Sequence, residues 1–402
     1  MFNTEPSKYH FRACLSYVVF SRRDARSGCR QATAKQPWPG IALVLAVTCL
    51  TSMHPLSLPR PPRLSLSHII VRLIVLLGLF SPPARALDSS QLAVVINMED
   101  PVSYAIGEYY VVRRKLPLSN IIKIRFEPGS TTMSEGEFKL IKAEVERQTV
   151  SKIQAYALTW ARPYRVECMS ITSAFAFGFN RAYCARGCKP TEPSPLFNSS
   201  SREPYTDFGI RPTMSLAARN FEDAVALIDR GVKADGSMPN ARAYLLSTSD
   251  QARNVRSVNY PVVAQILRPR VASRILRQDM LYGARDVLFY FTGRAQVAGL
   301  ETLAFKPGAI ADHLTSFGGM LTDSPQMSAL RWLEAGATGS YGTVQEPCNF
   351  PQKFPDPVIT VDIYLRGETL MEAYWKSVAM PGQGIFIGEP LAAPFSPIPA
   401  GR

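Results

Sequence analysis

One histidine follows residue 86 in this 402-residue chain, His313, and its neighbours are of the types that carry hydrolytic chemistry. The stretch ADHLTSFGG (311–319) sets Asp312 beside it, Thr315 and Ser316 just beyond, and the pair Gly318-Gly319 at its end. An imidazole oriented by a carboxylate can take a proton from a hydroxyl or thiol, and glycine amides can approach a ligand closely or act as oxyanion donors. Strand geometry opposes a compact Asp312–His313–Ser316 triad. Side chains alternate along a strand, so Asp312, Leu314 and Ser316 face one way while His313 and Thr315 face the other. A partner from another loop is the better expectation, with Asp323 or Glu346 orienting His313 and Cys348, in QEPCNFPQKFPDP, as nucleophile. The candidate catalytic residues are therefore His313, Cys348 and Ser316. The plainer alternative makes His313 a hydrogen-bonded core or rim residue and Cys348 half of a disulfide.

A second glycine-ended segment, YFTGRAQ (290–296), brings Gly293 and Arg294 to the same kind of turn. The guanidinium fork of Arg294 suits a carboxylate or phosphate, although an arginine after a strand is more often solvated or salt-bridged. Gly293, Arg294, Asp312, Thr315, Gly318 and Gly319 form the candidate ligand-binding set, a polar pocket for a small molecule or peptide. Asp356, in the proline-stiffened KFPDP loop (353–357), could help to line it.

These residues need strands to carry them. LAVVIN (92–97), IIKIRFE (121–127) and IQAYALTW (153–160) read as buried strands separated by helical segments, a β-α-β-α-β alternation that implies a parallel sheet covered by helices. Ser134 and Glu137 have capping-box spacing before a helix that runs to about Val150. Residues 179–213, rich in Pro, Ser, Arg and Gly, read as a long excursion that is either functional or loosely ordered. The alternation then resumes: a helix at 221–230, a strand at 241–248, a helix over about 260–277, and strands at 286–293 and 309–316. Ser324-Pro325 should open a helix over 326–335, followed by a strand at 338–344, a helix at 367–378 and a last strand at 383–390. Active sites of such sheets lie beyond the carboxyl ends of the strands, which puts the site at 293–296 and 311–319. The fold class expected is a three-layer α/β/α arrangement around a mostly parallel sheet, in two halves, 87–235 and 236–402.

Charge and cysteine usage narrow the class of protein. The net charge is +13, but residues 1–86 hold eleven Lys/Arg against Glu5 and Asp24, so they carry +9 and leave +4 for the rest. A body of that size with so little excess charge has no basic stripe, which disfavours nucleic acid as a partner. The basic region has another explanation. An apolar run, Leu73 to Phe80, follows Arg60, Arg63 and Arg72, and Ala84-Arg85-Ala86 supplies the small residues of a cleavage site. That run is too short to cross a bilayer as a helix. Residues 1–86 thus read as a targeting region, with a signal peptide over about 53–86 behind an upstream extension. Export follows, with the membrane met only in transit. Cys168, Cys184, Cys188 and Cys348 would remain after cleavage, and four cysteines permit three disulfide pairings. A local bridge between Cys184 and Cys188, or one to Cys168, is favoured over half a zinc site, because no second Cys or His pair accompanies them. No metal and no cofactor are expected.

The last third resembles the caspase-like hydrolases, and within them the gingipain-type cysteine peptidases, over roughly 286–392. Glu334-Ala335-Gly336-Ala337, the segment from Gly367 to Ala373 (GETLMEA) and Gly388-Glu389-Pro390 carry the likeness. That resemblance implies a Gly-His-Gly after one strand and a Ser-Cys followed by glycine after the next. Here Arg294 stands at the histidine position and Phe317 at the cysteine position. An arginine stays protonated and phenylalanine has no nucleophile, so the resemblance implies a frame without its usual dyad. The exported region also resembles a family of secreted bacterial proteins marked by GAIADHLTSFGG, WLEAGATGSYGTVQEPC and AYWKSV, which implies a shared site without a particular activity. A binding protein on this scaffold is the expectation, and a hydrolase with a relocated site at His313 and Cys348 or Ser316 is its competitor.

Overall fold

Runs of Val, Ile, Leu and aromatic residues that are apolar on both faces can sit only in the middle layer of a protein, and here they make one broad sheet. A computed structural model describes residues 86–185, 187–348 and 350–397. The expected signal peptide and upstream extension lie outside the described residues apart from Ala86. The strands are β1 (Leu92–Asn97), β2 (Ile121–Ile124), β3 (Thr132–Met133), β4 (Ala155–Leu158), β5 (Arg165–Val166), β6 (Met169–Ser170), β7 (Thr213–Ser215), β8 (Arg242–Ser247), β9 (Ala272–Arg277), β10 (Val287–Thr292), β11 (Phe305–His313), β12 (Gly339–Thr343) and β13 (Gly384–Gly388). The helices are α1 (Pro101–Arg114), α2 (Glu135–Gln148), α3 (Ile171–Phe177), α4 (Pro204–Phe208), α5 (Phe221–Ala234), α6 (Tyr260–Leu267), α7 (Leu330–Glu334), α8 (Pro357–Leu365) and α9 (Leu370–Trp375).

Ten strands pair in the order β2-β1-β4-β7-β13-β12-β11-β10-β8-β9, while β3, β5 and β6 form a small sheet of their own. Every neighbouring pair in the large sheet is parallel except β12 with β13, where Gly339 lies opposite Gly388 and Thr343 opposite Gly384. The mostly parallel α/β sheet read from the sequence is therefore present, with one reversal at its centre. Five strands run one way and five the other. As a result the carboxyl ends of β8, β10, β11 and β12 share a rim with the amino ends of β1, β4 and β7.

Helices cover both faces. On one, Ile106 and Tyr110 of α1, Ile228 of α5, Val263 of α6, Tyr364 of α8 and Trp375 of α9 pack on Val94, Leu245, Phe289 and Ile310. On the other, Phe138 and Val145 of α2, Phe175 of α3 and Leu330 of α7 pack on Val95, Tyr156 and Ile387, and a smaller cluster gathers Tyr290, Ala311 and Trp332. Ser134 caps α2 as expected, its Oγ accepting from Glu137 N at 3.2 Å.

Three expectations need correction. The helix expected over 260–277 stops at Leu267, before Pro269, and Ala272–Arg277 becomes the edge strand β9. Its arginines, Arg274 and Arg277, lie on an exposed edge, where charge discourages pairing with another chain. Ser324 makes a turn rather than a helix cap, with Oγ donating to Phe317 O and accepting from Gln326 N, and α7 begins only at Leu330. The KFPDP segment is not merely a loop. Asp356 caps α8, accepting from Val358 N at 2.8 Å, with Pro357 in its first turn.

The disulfides join Cys168 to Cys184 and Cys188 to Cys348, with Cα–Cα distances of 5.6 and 5.0 Å. No Cys184–Cys188 bridge forms. The two bonds tie the 179–213 excursion to the β5–β6 turn and to the loop after β12, a chemistry suited to an oxidising compartment. Among the described residues no helix is long and apolar enough to cross a membrane.

Candidate functional site

The parallel pairing of β10 with β11 sets Thr292 opposite His313 and brings the two glycine-ended turns side by side. Alternation then separates the side chains. Asp312 enters the face that holds Ile310 and Leu314, whereas His313 enters the face that holds Trp332. His313 is 2% exposed. Trp332 Nε1 donates to its Nδ1 at 2.9 Å, and because an indole can only donate, the imidazole proton resides on Nε2, 3.0 Å from Met327 O. Burial pushes its pKa down to about 4, opposed by the Met327 carbonyl and reinforced by the charges of Arg256 and Arg253. Both ring nitrogens are occupied, which leaves no lone pair for proton abstraction.

The orienting and attacking groups fail with it. Asp323 accepts instead from Tyr164 Oη at 2.7 Å, and Glu346 from Cys348 N at 2.8 Å. The Cys348 sulfur is bonded to Cys188, so it is no nucleophile. Ser316 is half-buried, its carbonyl accepts from Thr343 Oγ1 at 2.8 Å, and the only imidazole in the region is already committed. Cys348 is therefore a disulfide half and not the nucleophile expected, His313 is a hydrogen-bonded core residue and not the base, and Ser316 has no imidazole partner.

The expected ligand pocket is likewise filled by the protein itself. Asp312, 1% exposed, pairs with the equally buried Arg256 at 2.6 Å, and Arg256 also donates to Thr292 O and Pro355 O. Arg294 turns toward the edge of the sheet, to Asp279 at 2.9 Å and Ser249 Oγ at 3.3 Å. Thr315 Oγ1 donates to Gln326 Oε1 at 2.7 Å and accepts from Arg253 Nε at 3.2 Å. The glycines serve packing. A Cβ on Gly293 would collide with Arg253 O, one on Gly319 would meet Gly342 O at 2.7 Å, and one on Gly318 would press on Thr315 Cγ2 at 3.3 Å. The strand ends are thus clamped to each other, and backbone approaches backbone where a ligand was expected.

Open space lies farther along the same rim, at the amino ends of β4 and β7. A groove of about 1170 Å³ runs between Lys139, Lys142 and Glu146 of α2 and a wall formed by Phe177, Phe179, Tyr205, Thr206 and Arg211. Most of that wall belongs to the 179–213 excursion. Gln154 holds α4 in place, accepting from the amides of Tyr205 and Thr206 and donating to Thr206 Oγ1 at 3.0 Å. Arg211 is the unusual member. It is 7% exposed, its Nε donates to Ile153 O at 2.9 Å, and its guanidinium lies 3.2 Å from the Tyr205 ring centre and 5.6 Å from that of Tyr156. Its Nη1 and Nη2 make no hydrogen bond with the described residues. Lys142 stands nearby, paired with Glu146 at 2.7 Å and set over the Tyr156 ring. Burial lowers the Lys142 pKa and the Arg211 charge adds to the effect, while Glu146 opposes both. Lys139 is paired with Glu135 at 2.8 Å and Lys142 with Glu146, so Arg211 is the lining cation without a carboxylate partner among the described residues; with aromatic faces beside it, it can hold an anion that carries an apolar arm. The groove is not legible from residue types, because its residues come from separate segments without a motif. The length of the excursion was the one signal.

The class these features define is an α/β protein with a ten-stranded, mostly parallel sheet and two disulfides. Neither a family model nor a curated protein matches the chain. Among solved structures, the complex of the pro- and mature domains of RgpB from Porphyromonas gingivalis is similar at 10% identity and a TM-score of 0.45, covering 76% of this chain and 79% of that one. A second structure, described only as a protease, is similar at 10% identity and a TM-score of 0.41, covering 76% and 78%. Likeness at this level speaks to neither activity nor substrate.

Proposed function

We propose that this is an exported binding protein on a caspase-like frame, which uses the Arg211 groove to hold a carboxylate-bearing small molecule or peptide end. The observation that carries the reading is Arg211 itself. Its side chain is largely buried and braced by one carbonyl and two tyrosine rings, while its outer nitrogens face the groove and make no hydrogen bond with the described residues. A bidentate carboxylate would complete it, and Phe177 or Phe179 would lie against the apolar part. The absence of a usable base at His313 and of a free thiol at Cys348 supports binding over hydrolysis. The weakly charged body supports a small ligand over nucleic acid, and the two disulfides support export.

N-acetyl-phenylalanine is a suitable probe, titrated calorimetrically into the wild type and into Arg211→Gln and Lys142→Met. Affinity should fall about tenfold or more for Arg211→Gln, the scale of one charge-assisted bond, and less for Lys142→Met, with both variants folded as judged by their melting transitions. Equal affinity in all three proteins would exclude the groove as the site.

A further inference from the structure

The chain carries a buried carboxylate with half its valence unused, and it lies against the residue that cleavage would make the first. Glu372, on α9, closes a capping box with Thr369: its Oε2 accepts from Thr369 N and Thr369 Oγ1, both at 2.8 Å. The same oxygen accepts from the backbone nitrogen of Leu87 at 3.3 Å. Oε1 is buried and has no hydrogen-bond partner among the described residues. The cations nearby are engaged elsewhere, since Lys376 and Arg202 both pair with Glu368. Leu87 is 5% exposed and packs its side chain into the main core, so its nitrogen is held in place. A gap of about 20 Å³, room for a single water, adjoins Leu87, Glu372, Trp375 and Lys376.

We infer that hydrolysis of the Ala86–Leu87 peptide bond creates an α-ammonium at Leu87 that pairs with the Glu372 carboxylate, so that export processing completes a buried ion pair in the folded protein. Water is the co-reactant and a peptidase of the export route the catalyst. The hydroxyl of water adds to the Ala86 carbonyl carbon, the C–N bond breaks, and the released amine takes two protons, one from the water and one from the new Ala86 carboxylic acid, which departs as the carboxylate. One N–H on Leu87 becomes three, enough to serve both carboxylate oxygens. The cleavage motif Ala84-Arg85-Ala86 and the position of Glu372 are independent observations, 285 residues apart in sequence, and they meet at one nitrogen. Burial holds the Glu372 carboxyl above its ordinary pKa while the chain is uncleaved, an imbalance that an adjacent ammonium removes.

The test uses the full chain, exported from a bacterial host, with the mature N-terminus read by intact mass and N-terminal sequencing. Leu87 should be the first residue. Its α-amine should then react with acetic anhydride at near-neutral pH about tenfold or more slowly in the folded protein than in urea. Glu372→Gln, which preserves the capping geometry, should bring the folded rate to within about threefold of the unfolded one. A different first residue would overturn the inference, as would a folded wild type that labels at the unfolded rate. If Glu372→Gln does not fold, the wild-type comparison decides alone.

Discussion

His313 offers a sharp test of how the strand rim is built, because the other histidines, His10, His54 and His68, all precede residue 87. In protein that begins at Leu87 a single imidazole remains, and its titration can be followed without assignment ambiguity. Its pKa of about 4 in the folded chain compares with about 6.5 for a free imidazole, a gap of roughly 2.5 units or about 3 kcal/mol of linkage. The sign follows from which state binds the proton. The unfolded chain takes it up as pH falls below about 6.5, the folded chain only near 4, so this contribution is complete above pH 6.5 and is lost as pH falls through that window. Two-dimensional NMR of the Cε1–H resonance between pH 5 and 8 should show no titration step. Urea unfolding should show stability falling toward acid by up to about 1.4 kcal/mol per pH unit from this group, and His313→Phe should remove that component of the slope. An imidazole that titrates near 6.5, or a slope unaltered by the substitution, would refute the buried, doubly bonded histidine.

Two other perturbations address the same rim. Arg256→Met leaves the Asp312 carboxylate buried without a cation and should cost about 3–5 kcal/mol in denaturant unfolding, and adding Asp312→Leu should recover much of that loss. Gly293→Ala places a methyl against the Arg253 carbonyl and should lower the melting temperature by several degrees through backbone displacement, whereas Ala295→Gly, two residues on, should have a much smaller effect.

Much of this architecture can be read from the residues. LAVVIN forms β1 at the boundaries expected, and side-chain alternation along the strand sets Asp312 and His313 on opposite faces, where they are found. The reversal between β12 and β13 could not be read in this way, because a buried strand looks the same in either direction and pairing partners lie far apart in sequence. Edge strand β9 was hidden by its arginines, which break the apolar pattern that marks a strand. The rim at Gly293 and Gly319 is hard to read from sequence for a related reason. Glycines at strand ends permit close approach, but residue types alone do not say whether a ligand or another backbone approaches. Gly293 and Gly319 meet backbone. Cys348 was ambiguous between thiol and disulfide until Cys188 was placed beside it. Arg211 carried no sequence signal, since its significance lies in Tyr205, Tyr156 and Lys142 converging on it from three different segments.

The most direct measurement compares N-acetyl-phenylalanine with its primary amide by calorimetry against wild-type protein at one fixed salt concentration. For a ligand of this size a dissociation constant of order 0.1–1 mM is expected for the acid, with the amide weaker by about tenfold or more, because only the carboxylate offers the outer N–H groups of Arg211 two acceptor oxygens and a negative charge. Acid and amide binding equally, or neither binding at several millimolar, would contradict a carboxylate-holding groove.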